Sequence, residues 1–97
     1  MKLVWSALAR RELADIVSYI WLDNPAAAKR IRARVEDTAD HLQAHPFAGR
    51  PGKISGTREA LAHPSYRIVY QLSDETVLIL RVMHTSRQWP PIDDGGD

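Results

Sequence analysis

Seven side chains in the C-terminal half of the sequence could act together: Arg50, Lys53, Arg58, Arg67, His84, Arg87 and Trp89. Guanidinium groups bind carboxylate or phosphate through two parallel hydrogen bonds, and histidine exchanges a proton near neutral pH. The set suits recognition of an anion, with His84 as its candidate proton-transfer group. On composition alone the same residues describe a solvated rim, with Trp89 folded back on the core. Arg67 fits that description worst. It stands between Tyr66 and Ile68 in an apolar run, and a half-buried arginine there requires a phosphate or carboxylate partner.

Other chemistries find little support. His41 and His45 share helical spacing, but His45 abuts Pro46 and no acidic residue is in step with them. No metal site and no cofactor are therefore expected. The absence of cysteine rules out disulfides and thiolate zinc sites. Gly49-Arg50-Pro51-Gly52-Lys53 precedes a strand and lacks the spacing of a phosphate-binding loop. A triad could be drawn through Ser65, Ser86 or His84, but nothing in the sequence activates any of them.

The chain that positions these groups has 97 residues, 44% hydrophobic and 26% charged, the composition of one soluble globular domain. Residues 1–92 are expected to form it, with 93–97 a disordered acidic tail. Asp93, Asp94 and Asp97 belong to that tail. Without them, 13 basic groups face 9 acidic ones, and ten of the basic groups are arginine. The excess hints at an anionic partner. Apolar runs are too short to cross a bilayer, and Met1–Ser6 leads straight into Arg10-Arg11-Glu12, unlike a signal peptide. A cytoplasmic protein without a membrane partner is expected.

Lys2–Trp5 alternates as a short strand. Ser6 is placed to cap a helix over Ala7–Leu22, whose Leu13, Ile16, Val17 and Ile20 form one apolar stripe. Asn24 caps a second helix that has Pro25 in its first turn and runs to about Gln43. Its inner face is Ala28, Ile31, Val35, Ala39 and Leu42; Arg30, Arg34, Asp37 and His41 face away. The short link makes the two helices an antiparallel hairpin. Pro46–Lys53 reads as loop. Strands follow at about Thr57–Ala62, Tyr66–Leu72 and Val77–His84, the last two joined at Asp74-Glu75.

A turn at Asp74-Glu75 sets Leu72 opposite Val77 and Tyr70 opposite Ile79. Simple alternation then puts Tyr66, Ile68, Tyr70, Leu72, Val77, Ile79, Arg81 and Met83 on the face that packs against the helices. The other face carries Arg67, Val69, Gln71, Leu78, Leu80, Val82 and His84. Strands apolar on both faces are usually covered on both. A partner, a second copy or the C-terminal tail should therefore lie over the second face.

Two segments resemble a known family. Gly49-Arg50-Pro51-Gly52, Thr57-Arg58-Glu59 and Tyr66-Arg67-Ile68-Val69-Tyr70 are similar to the middle of RelE/ParE toxins of type II toxin–antitoxin systems. Val77–His84, followed by Ser86-Arg87-Gln88-Trp89-Pro90, resembles their last strand and terminus. Asn24-Pro25-Ala26-Ala27-Ala28 also matches the turn between their helices.

The resemblance covers about residues 2–90 and implies an α+β fold: a strand, an antiparallel helical hairpin, then a three-stranded antiparallel sheet. It also implies an antitoxin that wraps around the toxin. Arg67, Val69, Leu78, Leu80 and Val82 are the expected antitoxin contacts. Arg87 and Trp89 are candidate contacts to the target.

Two activities occur in the superfamily: ribosome-dependent mRNA cleavage in RelE-like members, and DNA gyrase poisoning in ParE-like (plasmid stabilisation) members. A ribonuclease would draw on Arg58, Arg67, His84 and Arg87. Metal-free cleavage needs a base, an acid and charge stabilisation. The resemblance implies that RelE-like members use several basic residues on the sheet and a C-terminal tyrosine or equivalent acid–base group. Here Ala60 stands where that pattern has its second lysine, and no tyrosine follows Tyr70. The terminus also looks more like ParE-type ends. The expectation is a non-enzymatic gyrase inhibitor. The alternatives are a ribosome-dependent endoribonuclease and a plain protein- or RNA-binding module.

Overall fold

Ser6 and Asn24 each have extended backbone and start a helix. The computed structural model describes residues 1–90, so the expected acidic tail at 93–97 lies outside it. After strand β1 (Lys2–Trp5), the Ser6 hydroxyl accepts from the amide of Ala9, 3.0 Å away, and opens helix α1 (Ala7–Trp21). The Asn24 side chain accepts from the Ala27 amide at 3.1 Å and opens helix α2 (Pro25–Ala44). Such caps satisfy amides that have no partner within the helix, and each contributes about 1 kcal/mol.

The apolar stripe of α2 is buried at all five expected positions, from Ala28 to Leu42. On α1, Leu13 is buried, and Ile16, Val17 and Ile20 pack partly buried against the same core. Fully burying a residue such as Val35 or Leu42 contributes roughly 1.5–3 kcal/mol.

The loop expected over Pro46–Lys53 contains a two-residue strand, β2 (Arg50–Pro51). It pairs with β3 (Thr57–His63), which is followed by β4 (Tyr66–Ser73) and β5 (Thr76–His84). The sheet runs β1-β5-β4-β3-β2, with β1 parallel to β5 and the other neighbours antiparallel. The N-terminal strand is thus an edge of the same sheet, which has five strands rather than three. The buried Tyr70 hydroxyl ties down the incoming loop: it donates to the Pro46 carbonyl at 2.8 Å and accepts from the Gly49 amide at 3.0 Å.

Leu72 does pair with Val77, and Tyr70 with Ile79. Beyond that point simple alternation fails. Val69 pairs with Arg81, so Leu80 is an extra residue on β5, a β-bulge. Every later side chain changes face. Val82 joins the core beneath the helices, and Arg81 and Met83 go to the opposite side. Sequence alternation had these three reversed.

The cause lies at the edge of β5. β1 ends at Trp5, opposite Ile79, so later residues of β5 have no strand beside them. Helix α1 takes over their backbone groups. The Ser6 hydroxyl donates to the Leu80 carbonyl at 3.0 Å, and the Glu12 carboxylate accepts from the Val82 amide at 3.0 Å.

Candidate functional site

The site grows from the sheet face turned away from the helices, where two arginines rise between apolar neighbours. Arg67 is met by the Glu59 carboxylate at 3.2 Å, across the pair of strands β3 and β4. Both side chains are nearly buried, with 12% and 5% of their surface exposed. Arg50 approaches the same carboxylate at 3.5 Å but is largely exposed. Arg67 spends its second terminal nitrogen on the Arg87 carbonyl. The carboxylate that Arg67 requires therefore comes from within the chain, as Glu59.

Arg81 has a similar arrangement. Glu12 takes its guanidinium through contacts of 2.6–3.0 Å, reaching around the edge of β5. These hydrogen bonds hold the Arg81 pKa above its ordinary value, outweighing burial, so the group stays charged at every working pH. Its other side lies against the Trp89 ring, 4.8 Å from the centroid.

Residues 85–90 thus fold back over the second face. Val69 and Met83 are buried there although they belong to no helix-facing cluster. The rest of the face stays open: Leu78 and Leu80 are half-buried, and Val4, paired with Leu78, is exposed.

The remaining candidate residues are dispersed. Arg58 donates to the carbonyls of Gly49 and Phe47 and stacks on the Phe47 ring. It pairs with Tyr70, hence on the helix-facing side, away from Arg67. His84 pairs with Tyr66, also across the sheet from Arg67, and its Nδ1 accepts from the Ser86 amide. The Arg87 side chain is exposed, as is Lys53. A groove of about 580 Å³ opens beside β3, with His41, Arg50, Glu59, Leu61 and Arg67 in its lining. Among the described residues, no group of three or more His, Asp or Glu could hold a metal ion, and no helix is long and apolar enough to cross a membrane.

Sequence reasoning missed Glu12, Glu59, Arg81 and Val4. Arg81 carried the signal that singled out Arg67, a guanidinium among strand aliphatics, but alternation put it under the helices. Val4 needed β1 to be recognised as part of the sheet.

A family described as the ParE toxin of type II toxin–antitoxin systems, parDE, matches residues 3–89. The chain belongs to the ParE toxin family. Y4kP of Sinorhizobium fredii is 45% identical over 89 residues, covering 91% of this chain and 92% of that protein. Toxin RelE2 of Caulobacter vibrioides is 35% identical over 86 residues, 89% and 97% of the two chains. A solved chain of the chromosomal ParDE system from P. aeruginosa matches with a TM-score of 0.77 at 24% identity, over 87% of this toxin and 95% of that chain. At that identity the structural match shows the fold alone: one strand and a helical hairpin, followed by the remaining strands of a single sheet. Membership of a toxin–antitoxin family implies a cognate antitoxin as partner.

Proposed function

We propose that this toxin arrests growth by inhibiting DNA gyrase, as a cytoplasmic protein held inactive by its antitoxin. One observation carries the choice over RNA cleavage: the residues a metal-free ribonuclease would use do not converge. Arg58 and His84 sit on the opposite side of the sheet from Arg67. Arg67 itself is occupied by Glu59 and the Arg87 carbonyl. Concerted proton transfer needs its acid and base within hydrogen-bond reach of one substrate, and that separation argues against it.

Ribosome-dependent mRNA cleavage is the second reading. The groove beside β3 favours it by bringing His41, Arg50, Glu59 and Arg67 to one opening.

The open half of the second face is the antitoxin's proposed seat, with Val4, Leu78 and Leu80 as apolar contacts. Covering about 200 Å² there would contribute roughly 5 kcal/mol before ordering costs. Val69 and Arg67 lie beneath the C-terminal segment and would be reached only at its margin.

Induced expression tests this function in the cell. The toxin should stop growth and trigger a DNA-damage response while bulk mRNA stays intact. Co-expression of an antitoxin encoded beside it should restore growth. Rapid mRNA loss without DNA damage would favour the second reading, and normal growth with abundant folded protein would favour a plain binding module.

A further inference from the structure

His41 and His45 meet at the C-terminal end of α2, with ring centres 4.6 Å apart and planes inclined by 32°. Pro46 does end the helix there. His45, its C-cap, has left helical backbone, at φ −132° and ψ 71°. Yet the His45 amide still donates to the His41 carbonyl at 2.9 Å, so the second ring keeps its place one turn beyond the first. Both residues are exposed, and neither ring has a hydrogen-bond partner among the described residues.

An imidazole nitrogen binds a divalent transition metal at about 2.0–2.1 Å, which puts the ion about 3.2 Å from the ring centre. Two rings held at roughly 90° around one ion then have centres about 4.5 Å apart, close to the separation found here. Such right angles belong to the tetragonal and octahedral geometries of Cu²⁺ and Ni²⁺.

The surroundings suit a cation. The two rings line a shallow hollow of about 510 Å³ with Ala44, Pro46, Phe47 and Ala48, and no lysine or arginine is in its lining. Arg58, which stacks on Phe47, spends its guanidinium on the carbonyls of Gly49 and Phe47. The last carbonyls of α2 add the partial negative charge of a helix C-terminus. Among the described residues no third histidine or carboxylate joins the pair, so the donors are two nitrogens. That choice disfavours Mg²⁺ and Ca²⁺, which take oxygen ligands.

We propose that His41 and His45 form a two-imidazole site for a divalent metal ion of the copper and nickel type, with water in the remaining positions. The site lies apart from the open half of the second sheet face and is independent of the toxin's target.

Calorimetric titration of the full chain with NiCl₂, and separately with MgCl₂, tests it. The wild type should bind one Ni²⁺ at its tightest site and bind Mg²⁺ far more weakly. His41→Ala and His45→Ala should each weaken Ni²⁺ binding at least tenfold, because either one breaks the chelate. His45→Ala combined with Gln43→His keeps the number of histidines but moves the second ring to another side of the helix, and should not restore binding. Both rings are exposed, so without metal these variants should melt like the wild type. Saturating Ni²⁺ should raise the Tm of the wild type alone, since a ligand held by the folded state stabilises it.

A wild type that binds no Ni²⁺, or binding that survives the loss of either histidine, would overturn the site. Recovery through Gln43→His would overturn the chelate, and Mg²⁺ binding as tight as Ni²⁺ would show that carboxylates, not these rings, hold the ion.

Discussion

Tyr66 and His84 face each other across β4 and β5, their rings 5.3 Å apart and nearly perpendicular. Arg67, the next residue on β4, consequently points through the other side of the sheet. A catalytic partnership between His84 and Arg67 has no geometry to act through. His84→Ala should therefore keep growth arrest within about twofold of wild type. It should lose no more than about 1 kcal/mol of stability, the scale of one exposed edge-to-face contact. An inducer titration paired with thermal melts checks both values.

The bulge at Leu80 predicts opposite fates for two neighbouring aliphatic residues. Val82 is 1% exposed beneath the helices, and Val82→Asp would bury a carboxylate there. The cost should be several kcal/mol, enough to leave little folded protein by circular dichroism. Leu78→Asp should fold normally and weaken antitoxin binding at least tenfold, or about 1.4 kcal/mol, in calorimetry. A folded Val82→Asp would show that Val82 is not in the core.

Glu59 serves two arginines of very different exposure. Glu59→Gln leaves the nearly buried Arg67 without its countercharge, a change that typically costs about 3 kcal/mol or more in a buried pair. In a domain of this size the Tm should fall by more than about 10 °C. Arg50→Ala removes only an exposed partner and should cost less than about 1 kcal/mol. Calorimetric melts of the two variants side by side measure the difference.

Tyr70 is the buried post around which the loop before β2 is wound. Tyr70→Phe strands the Gly49 amide and the Pro46 carbonyl, at a cost of about 1–3 kcal/mol. Gly49→Ala should be at least as harmful. Its Cβ would stand 2.6 Å from the Tyr70 hydroxyl and 2.7 Å from the Glu59 carbonyl oxygen. Denaturant unfolding, with amide exchange at Gly49, tests both variants.

The helices were legible because their signals are local. Ser6, Asn24 and Pro25 cap within three residues, and the stripe from Ala28 to Leu42 repeats at helical spacing. The hairpin register was legible from Asp74-Glu75 for the same reason. The bulge was not, because it depends on Ser6 and Glu12 bonding β5 from about seventy residues away. One unpaired residue reverses all later faces, so Arg81, Val82, Met83 and His84 were misplaced together. Arg67's need for an anion was legible in its neighbours. That Glu59 would meet it was not, since the β3–β4 pairing that joins them came only with the fold.

The toxin's proposed action on gyrase is tested most directly by supercoiling of relaxed plasmid with the purified enzyme. Added toxin should block supercoiling or accumulate cleaved plasmid. Antitoxin should relieve the effect, and His84→Ala should act like the wild type. Undisturbed supercoiling, together with site-specific cuts in mRNA on translating ribosomes that His84→Ala abolishes, would contradict it.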